Sequence, residues 1–440
     1  MSRLIQAPPS KSASHRAAIA AALTPGMSRL DNLLTSDDIA RTLTCLSTLG
    51  ATLDWHGGSL RITGMRTASE PASEQASLDL NVGESGTTCR LIAPIAALRQ
   101  GSCLIHGEGR MHERPIGELT TALAELGVTI HWQGTEGYPP FVLTSRGLTG
   151  GAVDVSLEES SQFLSGLLLA APMASGETLL GIGGSKAVSW PYAALTLQTM
   201  QEFGVQVRAE ERCGQGWQTT DWAELTDIRP GQVRFRVSPQ QYQPREAFIE
   251  GDWSNASYFL AAGLLLPGGV TVGGLKHDSV QGDRSIIDFL NRMGAAPAWE
   301  SQGLHTSPGM LHGADLDMGR CPDLVPTMAV LASLVQGPTR IRNVAHLRLK
   351  ESDRLEALAS QIAKTGCSIR TTPDGLDIQP AAITPGQRID FSVYGDHRLA
   401  MSLALYELVG LDVQLDDPKC VAKSFPGFWE AWASLGPENL

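Results

Sequence analysis

The stretch from Ser10 to Gly26, SKSASHRAAIAAALTPG, opens with polar and cationic residues, continues with about twelve small or apolar residues and closes with Gly. The sequence repeats this order six times, in copies that begin near Ser10, Gly83, Glu159, Gly251, Cys321 and Gly395. The closing glycines are Gly26, Gly101, Gly176, Gly268, Gly337 and Gly410. Because Gly often follows the last turn of a helix, each copy predicts a helix that starts at polar residues and stops at its Gly.

A second, amphipathic helix follows in each copy and ends before a β-rich stretch, at Gly50, Gly127, Gly204, Gly294, Gly366 and Gly436. Only this second helix has a polar face, so the first helix of each copy should be interior. The full unit reads strand, helix, strand, helix, strands. The third copy is longer, and its polar run 209–232, which has no helical period, predicts a surface excursion.

The length of 440 residues favours more than one domain. Six units divide into three plus three, and the stretch VSPQQYQPR, which starts at Val237, is typical of a linker between them. We therefore expect an α/β protein of two halves with a cleft between them. A solenoid would share the period, but its helix starts would not need the chemistry described next.

Composition excludes several classes of function. The formal net charge of −12 disfavours nucleic acid and acidic membranes as partners. The seven cysteines are odd in number and irregularly spaced, which predicts neither disulfides nor a metal site and favours the cytoplasm. No apolar stretch approaches the roughly 18 residues of a membrane span, and the N-terminus lacks the pattern of a signal peptide.

Several helix starts carry groups suited to binding anions, because free backbone N–H groups there already favour negative charge. The first start has Lys11 and Ser12, with Arg16 one turn further; the second has Gly86; the third has Ser160, Ser161 and Gln162. Taken singly, each is also what an ordinary helix cap provides. For Asp323 and Asp396, capping is the more probable role of an isolated Asp.

Two other segments, Arg110–Pro115 and Arg348–Arg354, contain more charge than capping needs, although solvated helix ends remain an alternative. The ordered motifs PSKSxSxR, SGTTxRL, RMxERPIG, SSQF, EGDWSxASY, PD, LRxKESDRL, GDHRxAM and AKSFPxF run from the first residues to the last helix. Together they resemble the EPSP synthase family of enolpyruvyl transferases, whereas any one alone would be weak.

The resemblance implies a two-domain, inside-out α/β barrel built of six βαβαββ units, three in each domain. It places the domains at 10–247 and at 1–9 plus 248–440, with hinges near 1–10 and 238–250. It also implies that the chain crosses twice between the domains, which the sequence pattern alone does not indicate. Closure of the halves on the substrates is expected.

The implied reaction transfers the enolpyruvyl group of phosphoenolpyruvate to the 5-hydroxyl of shikimate 3-phosphate. It releases phosphate through a tetrahedral intermediate and serves the shikimate pathway of aromatic amino-acid biosynthesis. The resemblance implies neither metal nor organic cofactor. Because Gly86 has no side chain to narrow the phosphoenolpyruvate pocket, we expect inhibition by glyphosate. A monomer is the default expectation.

The resemblance also implies site residues. The shikimate 3-phosphate contacts are Lys11, Ser12, Arg16, Ser160, Ser161, Gln162, Ser189, Asp323, His346 and Lys350. The phosphoenolpyruvate contacts are Lys11, Gly86, Arg114, Gln162, Arg354, Arg398 and Lys423, with the two arginines on the carboxylate. Catalysis is implied for Glu351 as acid and Asp323 as base, with Lys11 as an alternative proton carrier.

Three alternatives differ in testable ways. A UDP-N-acetylglucosamine enolpyruvyl transferase would have Asn after the first Lys and a Cys before the Arg-Pro, whereas this chain has Ser12 and no Cys from Glu108 to Glu113. An RNA-binding relative would be basic. In a regulatory domain that only binds anions, Asp323 and Glu351 would repel the ligand and would have no chemical role. Glu84, Leu91 and His346 depart from the common family pattern and affect the fine contacts.

Overall fold

The structure is a computed structural model that describes residues 3–65, 77–226 and 228–436. Helices of two kinds alternate along these residues. The α-helices are α1 Lys11–Ala22, α2 Asp37–Thr48, α3 Gly86–Ala96, α4 Gly117–Glu125, α5 Gln162–Ala170, α6 Trp190–Glu202, α7 Trp253–Leu265, α8 Ile286–Arg292, α9 Val325–Leu334, α10 Arg354–Ile362, α11 His397–Leu403 and α12 Phe428–Ala433.

The strands are short, and most come in groups that follow a helix. In chain order they are β1 Arg3–Gln6, β2 Met27–Asp31, β3 Thr52–His56, β4 Ser59–Thr63, β5 Leu78–Asn81, β6 Gln100–His106, β7 Thr129–Trp132, β8 Phe141–Arg146, β9 Gly151–Leu157, β10 Thr178–Ala187, β11 Arg208–Cys213, β12 Gly216–Thr220, β13 Val233–Val237, β14 Glu246–Phe248, β15 Val270–Gly273, β16 Ala298–Glu300, β17 Gly303–Thr306, β18 Asp315–Asp317, β19 Thr339–Arg342, β20 Ser368–Thr372, β21 Gly375–Gln379, β22 Arg388–Phe391 and β23 Asp412–Leu415.

The repeat found in the sequence is a repeat of sheets. Four sheets share one order, in which two parallel strands are followed by an antiparallel pair: β14-β2-β4-β3, β5-β6-β8-β7, β1-β15-β17-β16 and β18-β19-β21-β20. The mixed α/β class is therefore confirmed. Over the described residues the strands form six separate sheets, none of which closes on itself.

Two sheets take their first strand from a distant part of the chain. β1 pairs in parallel with β15, with Arg3 opposite Val270. β14 pairs in parallel with β2, with Glu246 opposite Arg29. In the other sheets the parallel partners are successive strands joined through a buried helix, as β5 and β6 are joined by α3. Each exchanged strand thus completes the sheet of another repeat.

The chain divides into two compact units. The continuous unit comprises Lys11–Ile249, and the two-segment unit comprises Met1–Ser10 with Glu250–Leu440. Each has its own hydrophobic core. In the continuous unit α3 packs on α5 and α1 on α6, and in the two-segment unit α9 packs on α7 and α11.

The first helix of each repeat is interior, as predicted. All residues of α1 from Ser14 onward are buried, as are all residues of α7 up to Leu264. Small side chains permit this, because the surrounding helices can approach an Ala-rich surface closely. Among the second helices, α2 is amphipathic: it exposes residues such as Asp37 and Ala40 while it buries Ile39 and Leu43. Helix α6 departs from this pattern, because it is mostly buried and exposes only Gln201 and Glu202.

The helix stops follow the sequence with three exceptions. The predicted stops of the second helices all have positive φ, as at Gly50 (110°) and Gly366 (89°). Among the first helices, Gly268, Gly337 and Gly410 also have positive φ. Gly101 does too, but it lies inside β6 and not at the end of α3. Gly26 and Gly176 are not among the glycines with positive φ. The predicted helices therefore end near their glycines, but the backbone at these two need not be left-handed.

Two expectations about individual repeats need correction. The run 209–232 is mostly exposed, but it is not only an excursion, because β12 pairs with β11 and adds a fifth strand to the sheet β12-β11-β13-β10-β9. Exposed strands at a sheet edge need no apolar period, so the sequence pattern concealed it. The sixth repeat lacks the final strand pair in the described residues, since its sheet contains only β22 and β23 and α12 follows.

The contact between α3 and α5 generates a prediction. A Cβ atom added at Gly166 of α5 would overlap the carbonyl oxygen of Arg90 and lie 3.1 Å from Pro94 Cγ. Backbone atoms cannot move aside cheaply, so Gly166→Ala should lower the free energy of unfolding by about 1 to 3 kcal/mol. Urea denaturation measures this change.

Gly134→Ala is the matched control in the same unit. A Cβ atom at Gly134 would make only an ordinary contact, 3.7 Å from Pro140 Cδ, and no positive φ opposes the change. The control should therefore unfold at the parent's urea concentration. Equal stability of the Gly166→Ala protein would contradict close packing of α3 on α5.

Candidate active site

Lys11 is the first residue of α1 and lies in an ion pair. Its Nζ atom is 3.0 Å from Asp38 Oδ2, and the two side chains are only 11% and 13% exposed. Asp38 lies in the first turn of α2, which packs on α1. The amine is therefore held at the start of α1 by a neighbouring helix.

Gly86 and Arg114 lie next to each other although 28 residues separate them in the sequence. Gly86 is the first residue of α3, whose cap is the Ser85 side chain accepting from Thr88 N. Arg114 Nη1 donates to the carbonyl of Glu84 at 3.1 Å, and a Cβ atom at Gly86 would overlap the Arg114 guanidinium. The missing side chain leaves room for this cation at a helix start.

Gln162 joins the start of α5 to α3. Its Nε2 donates to Thr87 Oγ1 at 2.9 Å, and its Oε1 accepts from Arg90 Nη1 at 3.2 Å. Arg90 is buried, donates to the carbonyl of Pro115 at 3.0 Å and lies over the Phe163 ring. The starts of α3 and α5 thus share one hydrogen-bonded cluster.

Arg16 is 1% exposed and is bound on several sides by protein groups. It donates to Thr196 Oγ1 at 2.7 Å, to the carbonyl of Tyr192 at 2.9 Å and to Ser165 Oγ at 3.2 Å. Burial lowers the pKa of Arg16 to about 10, so it stays protonated at neutral pH. Arg16 therefore connects α1 with α5 and α6.

The predicted serines also lie at helix starts. Ser161 is the cap residue of α5 and Ser189 that of α6, where it adopts left-handed angles (φ 57°, ψ 33°). Ser160, Ser161 and Ser189 are all buried, whereas Ser12 is half-buried. The continuous unit thus gathers the predicted hydroxyls at the starts of α1, α5 and α6.

In the two-segment unit, two guanidinium groups share one carboxylate. Arg354 Nη1 donates to Asp323 Oδ1 at 3.1 Å, and Arg398 Nη2 donates to Asp323 Oδ2 at 2.7 Å. Arg354 is the first residue of α10, and Asp323 lies in the 3-10 helix Pro322–Leu324 before α9. Asp323 does not stand at an N-cap position, because the N-cap residues of the 3-10 helix and of α9 are Cys321 and Leu324.

Arg354 is engaged by two further carboxylates. Its Nη2 donates to Glu351 Oε2 at 2.6 Å, and its Nε donates to Asp396 Oδ2 at 2.7 Å. Asp396 is fully buried, accepts from Ser352 Oγ and caps α11 through Arg398 N, so capping is confirmed there. The whole guanidinium is used in fixed, charge-assisted hydrogen bonds.

The charges set the protonation state of this cluster. Burial alone would raise the pKa of Asp323, but Arg398, Arg354 and Lys350 together outweigh it and hold the pKa well below its usual range. Burial likewise opposes the charge of Arg354, yet Asp396, Glu351 and Asp323 raise its pKa further. Asp323 is therefore an anion and Arg354 a cation at neutral pH.

The remaining predicted residues lie around this cluster in the same unit. Lys423 ends the 3-10 helix Pro418–Lys423 and donates to the carbonyl of Gly395, next to Asp396. His346 is buried in the 3-10 helix Ala345–Leu349, and Lys350 follows directly. Lys350 is close enough to Asp323 to lower its pKa.

Sequence reasoning missed three functional neighbours. No sequence pattern pointed to Asp38, because its partner Lys11 is far away in the sequence. A pattern did exist for Arg90, since it follows Glu84 by six residues just as Arg16 follows Ser10, and it could have indicated a second buried arginine near a helix start. Asp396 was seen only as a cap, although it also binds Arg354.

The described part of the chain was also compared with the requirements of a metal site and of a membrane-spanning helix. No group of three or more His, Cys, Asp or Glu residues there could hold a metal ion. All seven cysteines are free thiols. Over the same residues, none of the helices has both the length and the apolar character needed to cross a membrane.

The charge of Asp323 generates a pH prediction. Because its pKa is depressed in the folded chain, its stabilisation is complete above the unfolded pKa of about 4 and is lost as the pH falls through the folded pKa. Asp323→Asn should therefore be less stable than the parent at neutral pH, and the difference should shrink below about pH 4. Thermal unfolding at a series of pH values measures the difference.

Asp390→Asn is the control for the loss of a paired carboxylate. Asp390 is 74% exposed and pairs with Arg388, which is 62% exposed, so screening by water leaves the pair little effect. This variant should follow the parent at every pH. A gap between parent and Asp323→Asn that does not change with pH would contradict the depressed pKa of Asp323.

Comparison with known proteins adds the family. The family model described as EPSP synthase (3-phosphoshikimate 1-carboxyvinyltransferase) matches residues 1–432. The 3-phosphoshikimate 1-carboxyvinyltransferase of Aeromonas salmonicida is 39% identical over 98% of this chain and 96% of its own length. That of Pectobacterium carotovorum is 40% identical over 97% of this chain and 95% of its own length.

Solved structures show the same fold. EPSP synthase from Acinetobacter baumannii superposes with a TM-score of 0.77 at 24% identity, and the match covers 98% of this chain and 95% of that one. The enolpyruvyl transferase NikO from Streptomyces tendae gives 0.74 at 16% identity, with 99% and 95% covered. With a family model matched over nearly the whole chain and relatives near 40% identity along its length, the chain belongs to the EPSP synthase family.

Proposed function

We infer that this chain transfers the enolpyruvyl group of phosphoenolpyruvate to the 5-hydroxyl of shikimate 3-phosphate and releases phosphate, as the names of its relatives indicate. One observation carries the inference at the level of the site. Arg354 and Arg398 already converge on a single carboxylate, that of Asp323. A pair of guanidiniums arranged in this way suits the carboxylate of phosphoenolpyruvate.

The other binding roles are proposed for groups within each unit. In the continuous unit, Lys11, Gly86, Arg114 and Gln162 would bind the phosphate of phosphoenolpyruvate, and the hydroxyl-rich starts of α1, α5 and α6 would bind shikimate 3-phosphate. In the two-segment unit, Lys350 and His346 would contact shikimate 3-phosphate, and Lys423 would contact the phosphate of phosphoenolpyruvate. Closure of the halves on the substrates stays a prediction.

The arrangement also suggests how substrate binding changes the carboxylates. A substrate carboxylate that takes the fork of Arg354 must displace Asp323 or Glu351, because the donors of Arg354 are already engaged. A displaced carboxylate next to a new negative charge has a higher pKa. Asp323 would then accept the proton of the attacking hydroxyl, and Glu351 would protonate the methylene carbon. Lys11 remains the alternative proton carrier.

A UDP-N-acetylglucosamine transferase is the less supported alternative. The relatives named above act, by their names, on 3-phosphoshikimate. Ser12 after Lys11, and the lack of Cys from Glu108 to Glu113, also disfavour it. The free thiols support the proposed cytoplasmic location. A monomeric state stays a prediction.

Phosphate release tests the proposed function directly. The purified chain should release phosphate from phosphoenolpyruvate when shikimate 3-phosphate is present, and not when either compound is omitted. The same assay with UDP-N-acetylglucosamine as acceptor should give none. Turnover with UDP-N-acetylglucosamine alone would overturn the proposal in favour of the alternative.

Gly86 generates a prediction about glyphosate. Glyphosate should inhibit in competition with phosphoenolpyruvate, because Gly86 leaves the pocket beside Arg114 open. In Gly86→Ala the added methyl overlaps the Arg114 guanidinium, so the inhibition constant for glyphosate and the KM for phosphoenolpyruvate should both rise, by about tenfold or more for a displacement costing about 1.4 kcal/mol. Steady-state kinetics measure both constants.

Gly134→Ala again serves as the control and should leave both constants unchanged. Full activity of the parent in about 1 mM glyphosate, a concentration that half-fills a site with a Kd of about 1 mM, would contradict the open pocket.

A further inference from the structure

Helix α2 contributes no proposed substrate contact, yet it packs against both α1 and α3. Asp38 and Thr42 lie one helical turn apart on it, so they share a face. Asp38 binds Lys11 of α1, and its backbone carbonyl accepts from Thr88 Oγ1 of α3 at 3.2 Å. This face of α2 therefore touches the helices that carry Lys11 and Gly86.

Thr42 lies at the centre of a continuous chain of hydrogen bonds. Its Oγ1 is 2.8 Å from His15 Nδ1 on α1 and 2.8 Å from Thr88 Oγ1 on α3. Thr88 Oγ1 is also 2.8 Å from Ser85 Oγ, and Ser85 caps the start of α3 directly before Gly86. The chain thus runs from the helix of Lys11 to the helix start at Gly86.

All members of this chain are buried. His15, Thr42 and Thr88 are fully buried, and Ser85 is 2% exposed. Val has nearly the shape of Thr, so packing alone does not select Thr at this position. The hydroxyl matters because His15 and Thr88 would each lose a buried hydrogen-bond partner without it. The directed hydrogen bonds fix the angle and spacing between the helices, which apolar contacts do not.

The shikimate side of the site is held by other contacts. Arg16 donates to Thr196, Ser165 and the carbonyl of Tyr192, which all belong to α5 and α6. None of the hydrogen bonds described for Arg16 involves α2. Arg16 thus ties α1, which also carries the proposed shikimate contacts Lys11 and Ser12, to α5 and α6. A disturbance at Thr42 should therefore affect phosphoenolpyruvate more than shikimate 3-phosphate.

We propose that Thr42 is a positioning residue that sets the spacing between Lys11 and the helix start at Gly86, and so shapes the binding of phosphoenolpyruvate in particular. The inference rests on the proposed function. Thr42 has no proposed substrate contact and acts through His15 and Thr88.

Thr42→Val removes the hydroxyl at nearly constant shape. Its KM for phosphoenolpyruvate should rise about tenfold, because a small misplacement of binding groups is costly, while its KM for shikimate 3-phosphate changes less than about twofold. Thr42→Ser keeps the hydroxyl and should stay within about twofold of the parent for both substrates. Phosphate release at varied concentrations of each substrate measures all four constants.

Thr120→Val is the matched control for a buried Thr in the same unit. The hydroxyl of Thr120 donates only within α4 and its cap, to the carbonyls of Ile116 and Gly117, so this change should leave both KM values as in the parent. If Thr42→Val does not fold, Thr88→Val breaks the same chain from α3 and should give the same selective change. Failure of both to fold would show a purely stabilising role and overturn the proposal.

The outcomes separate this inference from the proposed function. A parent without phosphate release with these substrates would refute both. With an active parent, an equal change in both KM values, no change in Thr42→Val, or no rescue by Thr42→Ser would overturn the positioning role alone.

Discussion

A helix that is buried along its whole length can present only its ends to a ligand, and this constraint organises the chain. The first helix of each repeat is made of small and apolar residues, so its sides satisfy the core and its last turn ends near a Gly. Its first turn still carries backbone N–H groups without helical partners. Polar chemistry therefore concentrates at the helix starts, where Lys11, Gly86 and Gln162 lie.

The two units use these starts differently. In the continuous unit the neighbouring groups are mostly hydroxyls, amides and cations such as Arg16 and Arg90, which suits phosphate oxygens. In the two-segment unit Arg354 is surrounded by carboxylates, which compensate its positive charge in the protein interior. Two of these carboxylates, Asp323 and Glu351, are also the candidates for proton transfer. Charge compensation and chemistry are thus combined in one set of side chains.

Much of this arrangement could be predicted from the sequence, because it depends on local pattern. The interior helices, their polar starts and most of their stops follow from residue order alone. The pairing of β1 with β15 could not, since hydrogen bonds between distant strands leave no local period. The carboxylate partners of Arg354 were equally hidden, and Asp323 resembled a cap until Arg398 was placed beside it. The sequence pattern therefore predicts the helices, but it does not predict which distant strands or charged side chains pair with each other.

The exchanged strand β1 has a consequence for the order of events during translation. It leaves the ribosome before the continuous unit, but its partner β15 is made only after all of that unit. The nascent continuous unit can form its sheets, including the pair β14 and β2, while β1 still lacks its neighbour. The N-terminal segment must therefore remain accessible during synthesis, which makes early capture of this short strand by another edge a hazard specific to this topology.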